Sequence, residues 1–313
     1  MAVVLERLSY GIQFNFPSSI FLRLFIIAYI HEPKNAMNKI GMNLLLWGTE
    51  MDEQMFPVLE QIREAGYDGV EVPIFNTDPG AWETWRKKLD ATGLDRVAVT
   101  INGPDHHQID QDPAMRRKTL ERNKRALDCA AVLGSVLLTG PYHSALGVFA
   151  GRTASEDEKK WAAENLYELA EYAQNLGITL GLEYLNRFES YLVSCTDELI
   201  ALADQVNHPN CRLMFDTFHA NIEEKDLSAA IRKIGHRLVN VQLSENDRGT
   251  LGAGHIDFAS IMTTLSSIGY SGMISVEAFS SKLTAANIWR PLFDSEEQLV
   301  RDSFQFLKNI SQS

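Results

Sequence analysis

Three apolar runs in the second half of the chain end in a carboxylate: Leu180-Gly181-Leu182-Glu183, Leu213-Met214-Phe215-Asp216 and Ile274-Ser275-Val276-Glu277. A fourth run, Asn240-Val241-Gln242-Leu243, carries an amide. An acid at the end of a buried run is costly unless it is paired or bound to a cation. Any one of the three can instead cap the next helix or bind an arginine. Three acids brought to one mouth repel each other and call for a cation. An oxygen-rich donor set suits a hard, octahedral ion such as Mn²⁺ or Mg²⁺.

The elements that must position these residues alternate. From Asn38 onward, strand-like runs at Lys39–Trp47, Gly69–Phe75, Asp95–Asn102, Ser135–Thr139, Ile178–Glu183, Cys211–Asp216, Leu238–Leu243 and Gly272–Glu277 are separated by segments of helical spacing. Those segments are Asp52–Ala65, Pro79–Thr92, a helix from Asp112-Pro113 to Leu133, Ser155–Leu176, Thr196–Val206, Asp226–Ile234 and Asp257–Ile268, with Ser295–Ile310 closing the chain. Gly66, Gly93 and Gly177 stand where helices stop. Eight strand–helix units predict a parallel sheet closed as a (β/α)8 TIM barrel, with chemistry at the C-terminal ends of the strands. A doubly wound sheet is the other fold considered; no GxGxxG follows the first strand, and no GxxxxGK[ST] occurs, so no nucleotide cofactor is expected.

Residues 1–36 read unlike the rest. Their apolar stretch Ile20–Ile30 has eleven residues with an arginine inside, too short to span a bilayer. His31-Glu32-Pro33-Lys34 follows it in place of a small-residue cleavage site. Met37 precedes the first strand, so 1–36 is expected to be an extension, disordered or an overcalled start, or else an arm on a neighbouring subunit. Residues 37–313 are expected to form one catalytic barrel. The 313 residues are 45% apolar and 22% charged, enough for a core, and the net charge of −12 leaves no basic face for nucleic acid. Three cysteines without a CxxC predict buried thiols and a reducing, cytoplasmic setting with no membrane partner.

The residues around these acids carry a resemblance. Glu183-Tyr184-Leu185-Asn186-Arg187-Phe188-Glu189 and Asp216-Thr217-Phe218-His219-Ala220-Asn221-Ile222-Glu223-Glu224 resemble the ExxNRFE and DTFHxNIEE segments of the D-tagatose and D-psicose (allulose) 3-epimerases. Ser244–Arg248 with Gly252-Ala253-Gly254, Val276-Glu277-Ala278-Phe279 and Ile288-Trp289-Arg290 are similar to further segments of that family, and the likeness runs from about Lys39 to the C-terminus. The family is a xylose isomerase-like (β/α)8 barrel with one divalent metal, usually Mn²⁺, and it forms dimers or tetramers. The resemblance implies that Glu183 and Glu277 bind the metal and exchange a proton with the sugar, that Asp216 is a third ligand, and that Glu189, His219 and Arg248 hold substrate oxygens. The family's fourth ligand is a histidine 26 residues after the aspartate, and here that position is Gln242. Its amide oxygen is a weaker donor and shifts the set further toward Mn²⁺ or Mg²⁺.

Such a constellation suits proton transfer next to a carbonyl. A Lewis acid stabilises the enediolate, and carboxylates on opposite faces act as base and acid. Arg248 can also be spent on a loop salt bridge with Asp247 or Glu245. His143, in Gly140-Pro141-Tyr142-His143-Ser144, faces the same mouth and is a candidate substrate contact; His106-His107 read as solvated loop residues. Trp47, Phe279 and Trp289 are either a wall against sugar C–H faces or plain packing. The resulting expectation is a metal-dependent isomerase acting on an unphosphorylated ketose or keto-sugar. Gln242 keeps two alternatives open: an epimerase or (C-)glycoside-cleaving lyase acting on 3-keto-glycosides, and a non-catalytic sugar- or metal-binding protein.

Overall fold

Eight short strands pair in parallel, each with its neighbour in sequence, and the last closes on the first. They are β1 (Ile40–Asn43), β2 (Gly69–Pro73), β3 (Asp95–Val99), β4 (Leu137–Gly140), β5 (Thr179–Leu182), β6 (Cys211–Asp216), β7 (Leu238–Leu243) and β8 (Ile274–Val276). Met42 of β1 stands beside Val70 on one side and Val276 on the other, which is the closure. The computed structural model describes residues 38–311, so the expected extension at 1–36 lies outside the described residues. The architecture is the (β/α)8 TIM barrel that the alternation predicts.

The helices form the outer ring: α1 (Phe56–Ala65), α2 (Trp82–Thr92), α3 (Pro113–Leu133), α4 (Glu156–Asn175), α5 (Thr196–Val206), α6 (Thr217–Glu223), α7 (Leu227–Ile234), α8 (Phe258–Ser267) and α9 (Glu296–Ile310). Their ends follow local chemistry. Asp112 caps α3 through Ala114 N–H with Pro113 in the first turn, and Gly134 stops it in the left-handed conformation. Ser155 and Glu158 form a reciprocal capping box on α4. No helix among the described residues is long and apolar enough to cross a membrane.

Two expectations change. The run Lys39–Trp47 is not one strand: after Asn43 it coils into a 3-10 turn, Leu44–Trp47, because the Asn43 side chain accepts the Leu45 N–H. All three leucines of that turn are buried, so the apolar run fills the core without extending the sheet. The expected strand Asp95–Asn102 stops at Val99, and α6 is a helix that the periodicity does not announce.

Gly140 ends β4 at φ +125, a backbone conformation that side chains resist. A Cβ there would also lie 2.2 Å from the Thr100 carbonyl oxygen. Its own carbonyl accepts the Glu183 N–H at 3.2 Å, so this tight spot also fixes the backbone of a candidate site residue. Gly140→Ala is therefore expected to cost about 2–4 kcal/mol, through strain and displaced backbone. Urea unfolding checks this; an unchanged midpoint would show that the strand end yields freely.

Candidate active site

All four donors sit at the C-terminal ends of strands. Glu183 directly follows β5 and Glu277 directly follows β8, its N–H held by the Leu243 carbonyl at 2.9 Å. Asp216 ends β6, and its Oδ1 accepts the Phe218 N–H at 2.8 Å, so the same carboxylate caps α6. Gln242 lies within β7 beside Asp216 and Ser275. All four side chains are buried.

Arg248 comes from the loop after β7 and reaches back into this cluster. Its Nη1 donates to Asp216 Oδ2 at 2.8 Å, to Ser244 Oγ at 3.0 Å and to Glu277 Oε2. Its guanidinium lies between two rings, 3.8 Å from the Phe218 centroid and 4.5 Å from that of Phe279. The backbone of Arg248 is left-handed, φ +66, which is unusual for a side chain of this size. Glu245 supports it. This buried carboxylate accepts N–H groups from Asn246, Gly252, His255 and Ile256, which winds the loop around it. The loop salt bridge considered for Arg248 does not form; its partners are the site carboxylates.

The charges do not balance. Three buried carboxylates face one guanidinium. Burial drives the Glu183 carboxyl well above its usual range, and the Asp216 and Glu277 charges push the same way. Burial likewise raises Glu277, against the pull of Arg248. For Arg248, burial opposes the charge, but Asp216 and Glu277 outweigh it and raise its pKa. A second cation would relieve this surplus. The amide of Gln242 fits that need: its Oε1 is buried and no donor reaches it among the described residues.

His219 is placed differently. A carboxylate oxygen of Glu183, one of Asp216 and a ring nitrogen of His219 lie within 4.8 Å of one another, close enough to share an ion. However, the Asn186 N–H donates to Nδ1 at 3.0 Å. Burial keeps the ring neutral, although Asp216 pulls the other way. Nε2 then carries the hydrogen, 3.4 Å from Asp216 Oδ2 and 3.6 Å from Glu183 Oε1. Arg248 Nη2, at 3.1 Å from Nε2, is therefore a close contact and not a donor. The His219 lone pair is thus taken up by Asn186, and the three carboxylates and Gln242 remain as candidate donors.

A cavity of about 510 Å³ opens above these groups. Glu183, Gln242, Glu277, Glu189, His219, Arg248 and Phe279 all line it, with Asp216 just behind, hydrogen-bonded to Arg248. Trp47 is not part of the lining, and Trp289 is 82% exposed. His106 and His107 are not solvated loop residues: His106 lines the cavity, and His107 is buried with Nδ1 accepting the Ala145 N–H. Loop position alone hid this, because the fold of 102–110 brings the pair inward.

Two buried charged groups near the cavity went unread in the sequence, one at its wall and one beneath it. Arg122 of α3 is buried at the cavity wall, with Nη1 on the neutral acceptor Thr100 Oγ1 at 2.7 Å, and burial lowers its pKa to about 10. Glu71 of β2 is fully enclosed. Its Oε2 accepts from Asn43 Nδ2 at 2.8 Å and Gln242 Nε2 at 2.6 Å, and its Oε1 accepts from Asn240 Nδ2 at 2.7 Å. Burial raises its carboxyl, and these donors, Gln242 first, pull it back. Glu71 itself was the available signal, as the single charge inside the otherwise apolar, buried strand Gly69–Pro73.

His143 does not line the cavity. It is buried, its Nε2 donates to the Glu183 carbonyl at 2.9 Å and its Nδ1 accepts from Ser144 Oγ at 3.0 Å. It braces Glu183 from behind. Burial lowers its pKa to about 4, against a backbone bond that opposes the shift. The folded state thus binds this proton less readily than the unfolded chain, and stability is lost as pH falls from about 6.5 toward 4. His143→Gln should flatten that acid limb by on the order of 3 kcal/mol. Urea unfolding between pH 7 and pH 4 measures it; parallel curves for the two proteins would refute the assignment.

Residues 59–310 match the xylose isomerase-like TIM barrel family. An L-ribulose 3-epimerase from Methylomonas sp. (strain DH-1) is 36% identical over 78% of this chain and 87% of its own. A ketose 3-epimerase from Arthrobacter globiformis is 31% identical over 87% of this chain and 99% of its own. The crystal structure of a D-allulose 3-epimerase from Methylomonas sp. in complex with D-allulose superposes with a TM-score of 0.81 at 30% identity, over 87% of this chain and 96% of that one. Barrel and sequence agree: the chain belongs to the ketose 3-epimerase family of xylose isomerase-like TIM barrels and is an enzyme of the isomerase class.

Proposed function

We propose that the protein is a divalent-cation-dependent ketose 3-epimerase acting on an unphosphorylated sugar. The observation that carries this is the surplus of buried negative charge around Glu183, Asp216 and Glu277, beside the unpartnered oxygen of Gln242 and at the floor of a sugar-sized cavity. The relatives' named substrates, L-ribulose and D-psicose (D-allulose), supply the substrate class.

Glu183, Asp216, Glu277 and Gln242 would hold the cation through oxygen alone, which favours Mn²⁺ or Mg²⁺. A cation bound there would supply Lewis-acid stabilisation of the negative charge that enolisation places on the substrate oxygens. The chain does the rest. Glu183 and Glu277 stand on strands three apart in the ring and can approach a bound ketose from opposite sides. One carboxylate takes the proton from C3 and the other returns a proton on the opposite face, which inverts the centre. Both carboxylates are held out of water at the cavity floor, within reach of a bound ketose. His219 Nε2–H can donate to a sugar hydroxyl, Glu189 can accept from one, and Arg248, fixed between Phe218 and Phe279, presents its fork to substrate oxygens.

The test is deuterium exchange. Protein loaded with Mn²⁺ is incubated in D₂O with D-fructose, D-tagatose and a 3-keto-glucoside, and the C–H signals next to each carbonyl are followed by NMR. Deuterium at C3 of a free ketose supports the reading; exchange or cleavage with the keto-glycoside alone would move the activity to that substrate class. Glu183→Gln and Glu277→Gln should each lower the exchange rate by about 10²–10⁴-fold. Chelation should abolish exchange and lower the melting temperature. At 100 times its dissociation constant a single bound ion adds about 2.7 kcal/mol, and an unchanged melting temperature on adding EDTA would count against a resident cation.

A further inference from the structure

We infer that Glu71 is a positioning residue: its carboxylate holds the Gln242 amide by the nitrogen and so turns the Gln242 oxygen toward the cation site. This rests on the cation reading proposed above and deepens it.

An amide can face a cation with its oxygen, which ligates, or with its NH₂, which repels. A histidine at this place would need its tautomer set by a neighbour; a glutamine needs its flip set in the same way. Glu71 is the group that does so. Its Oε2 accepts Gln242 Nε2 at 2.6 Å, which leaves Oε1 as the free atom of the amide, and that oxygen has no other partner among the described residues. Leaving a buried acceptor unmatched costs about 1–3 kcal/mol, so the arrangement is reasonable only if something else takes that oxygen.

Glu71 is itself held from several sides. Asn43 cannot flip freely, because its Oδ1 accepts the Leu45 N–H at 2.9 Å; its Nδ2 therefore faces acceptors, donating to Glu71 Oε2 at 2.8 Å and to Glu277 Oε1 at 3.0 Å. Asn240 Nδ2 fills Glu71 Oε1. The bonds from β2 to β7 skip the intervening strands, so they cross the barrel interior beneath the cavity. Glu71 does not line the cavity and acts through Gln242.

The geometry separates orientation from charge. In Glu71→Gln an oxygen can still face Asn43 and Gln242, while the new NH₂ turns to Asn240, whose Oδ1 is free to accept it. In Glu71→Met no acceptor remains. Mn²⁺ affinity, read from the electron paramagnetic resonance signal of free Mn²⁺ in titrations without substrate, should fall about 10–100-fold in Glu71→Met and stay within about threefold of the unmodified protein in Glu71→Gln. Glu71→Met added to Gln242→Met should cause no further loss. Wild-type affinity in Glu71→Met would overturn the inference, as would equal losses in both single variants, which would mean that the charge alone matters. If Glu71→Met does not fold, Glu71→Asp keeps the charge but withdraws the oxygen by one methylene; a loss supports the role and wild-type affinity overturns it. Failure of the underlying reading looks different: the unmodified protein would bind no Mn²⁺ that Asp216→Asn removes.

Discussion

The site is organised by an excess of buried negative charge. Glu183, Asp216 and Glu277 are drawn out of water by the strands that carry them, and one guanidinium answers them. Arg248 can do this only from a strained backbone, pinned by Glu245 and stacked between two aromatic rings. The barrel makes such an arrangement affordable in free-energy terms because its closed strand ends leave none of the three carboxylates free to move away. Stability and reactivity therefore draw on the same contacts.

A second layer lies beneath the first. Asn43, Glu71 and Asn240 form a polar plug inside the barrel, where hydrocarbon would ordinarily fill the space. Asn43 joins the layers, because its one NH₂ group serves both Glu71 and Glu277. His143 does a comparable job outside the ring, holding the Glu183 backbone in place through its carbonyl. These supports hold the acids within a narrow range of positions, which proton transfer between fixed groups requires.

Much of this was legible in the sequence. The alternation of strand and helix was enough for the barrel, because nearly every helix carried its own stop signal in glycine or its own cap in serine or aspartate; α5, which follows Cys195 and stops at Asn207, is the exception. The acids at strand ends stood out because a charge after an apolar run has few innocent explanations. What stayed hidden were contacts between distant strands. Glu71 pairs with residues about 170 positions away, and nothing local to Gly69–Pro73 marks a partner on β7. His143 and Trp47 misled for a related reason: a strand-end position tells which end of the barrel a residue occupies, but not whether its side chain turns toward the axis. The run ending in Trp47 read as a longer strand because Leu and Trp suit both states, and a single asparagine decided the outcome.

Asp216 has a further consequence. One of its oxygens starts α6 while the other meets Arg248, and α6 carries His219 three residues on. Whatever draws on the Asp216 carboxylate from the cavity side thus pulls on the first turn of a helix whose histidine lines the cavity. The floor of the cavity and the helix at its wall are thus joined through two atoms of one side chain. Such a link would let the enzyme tighten its grip on a sugar only when the floor beneath it is complete.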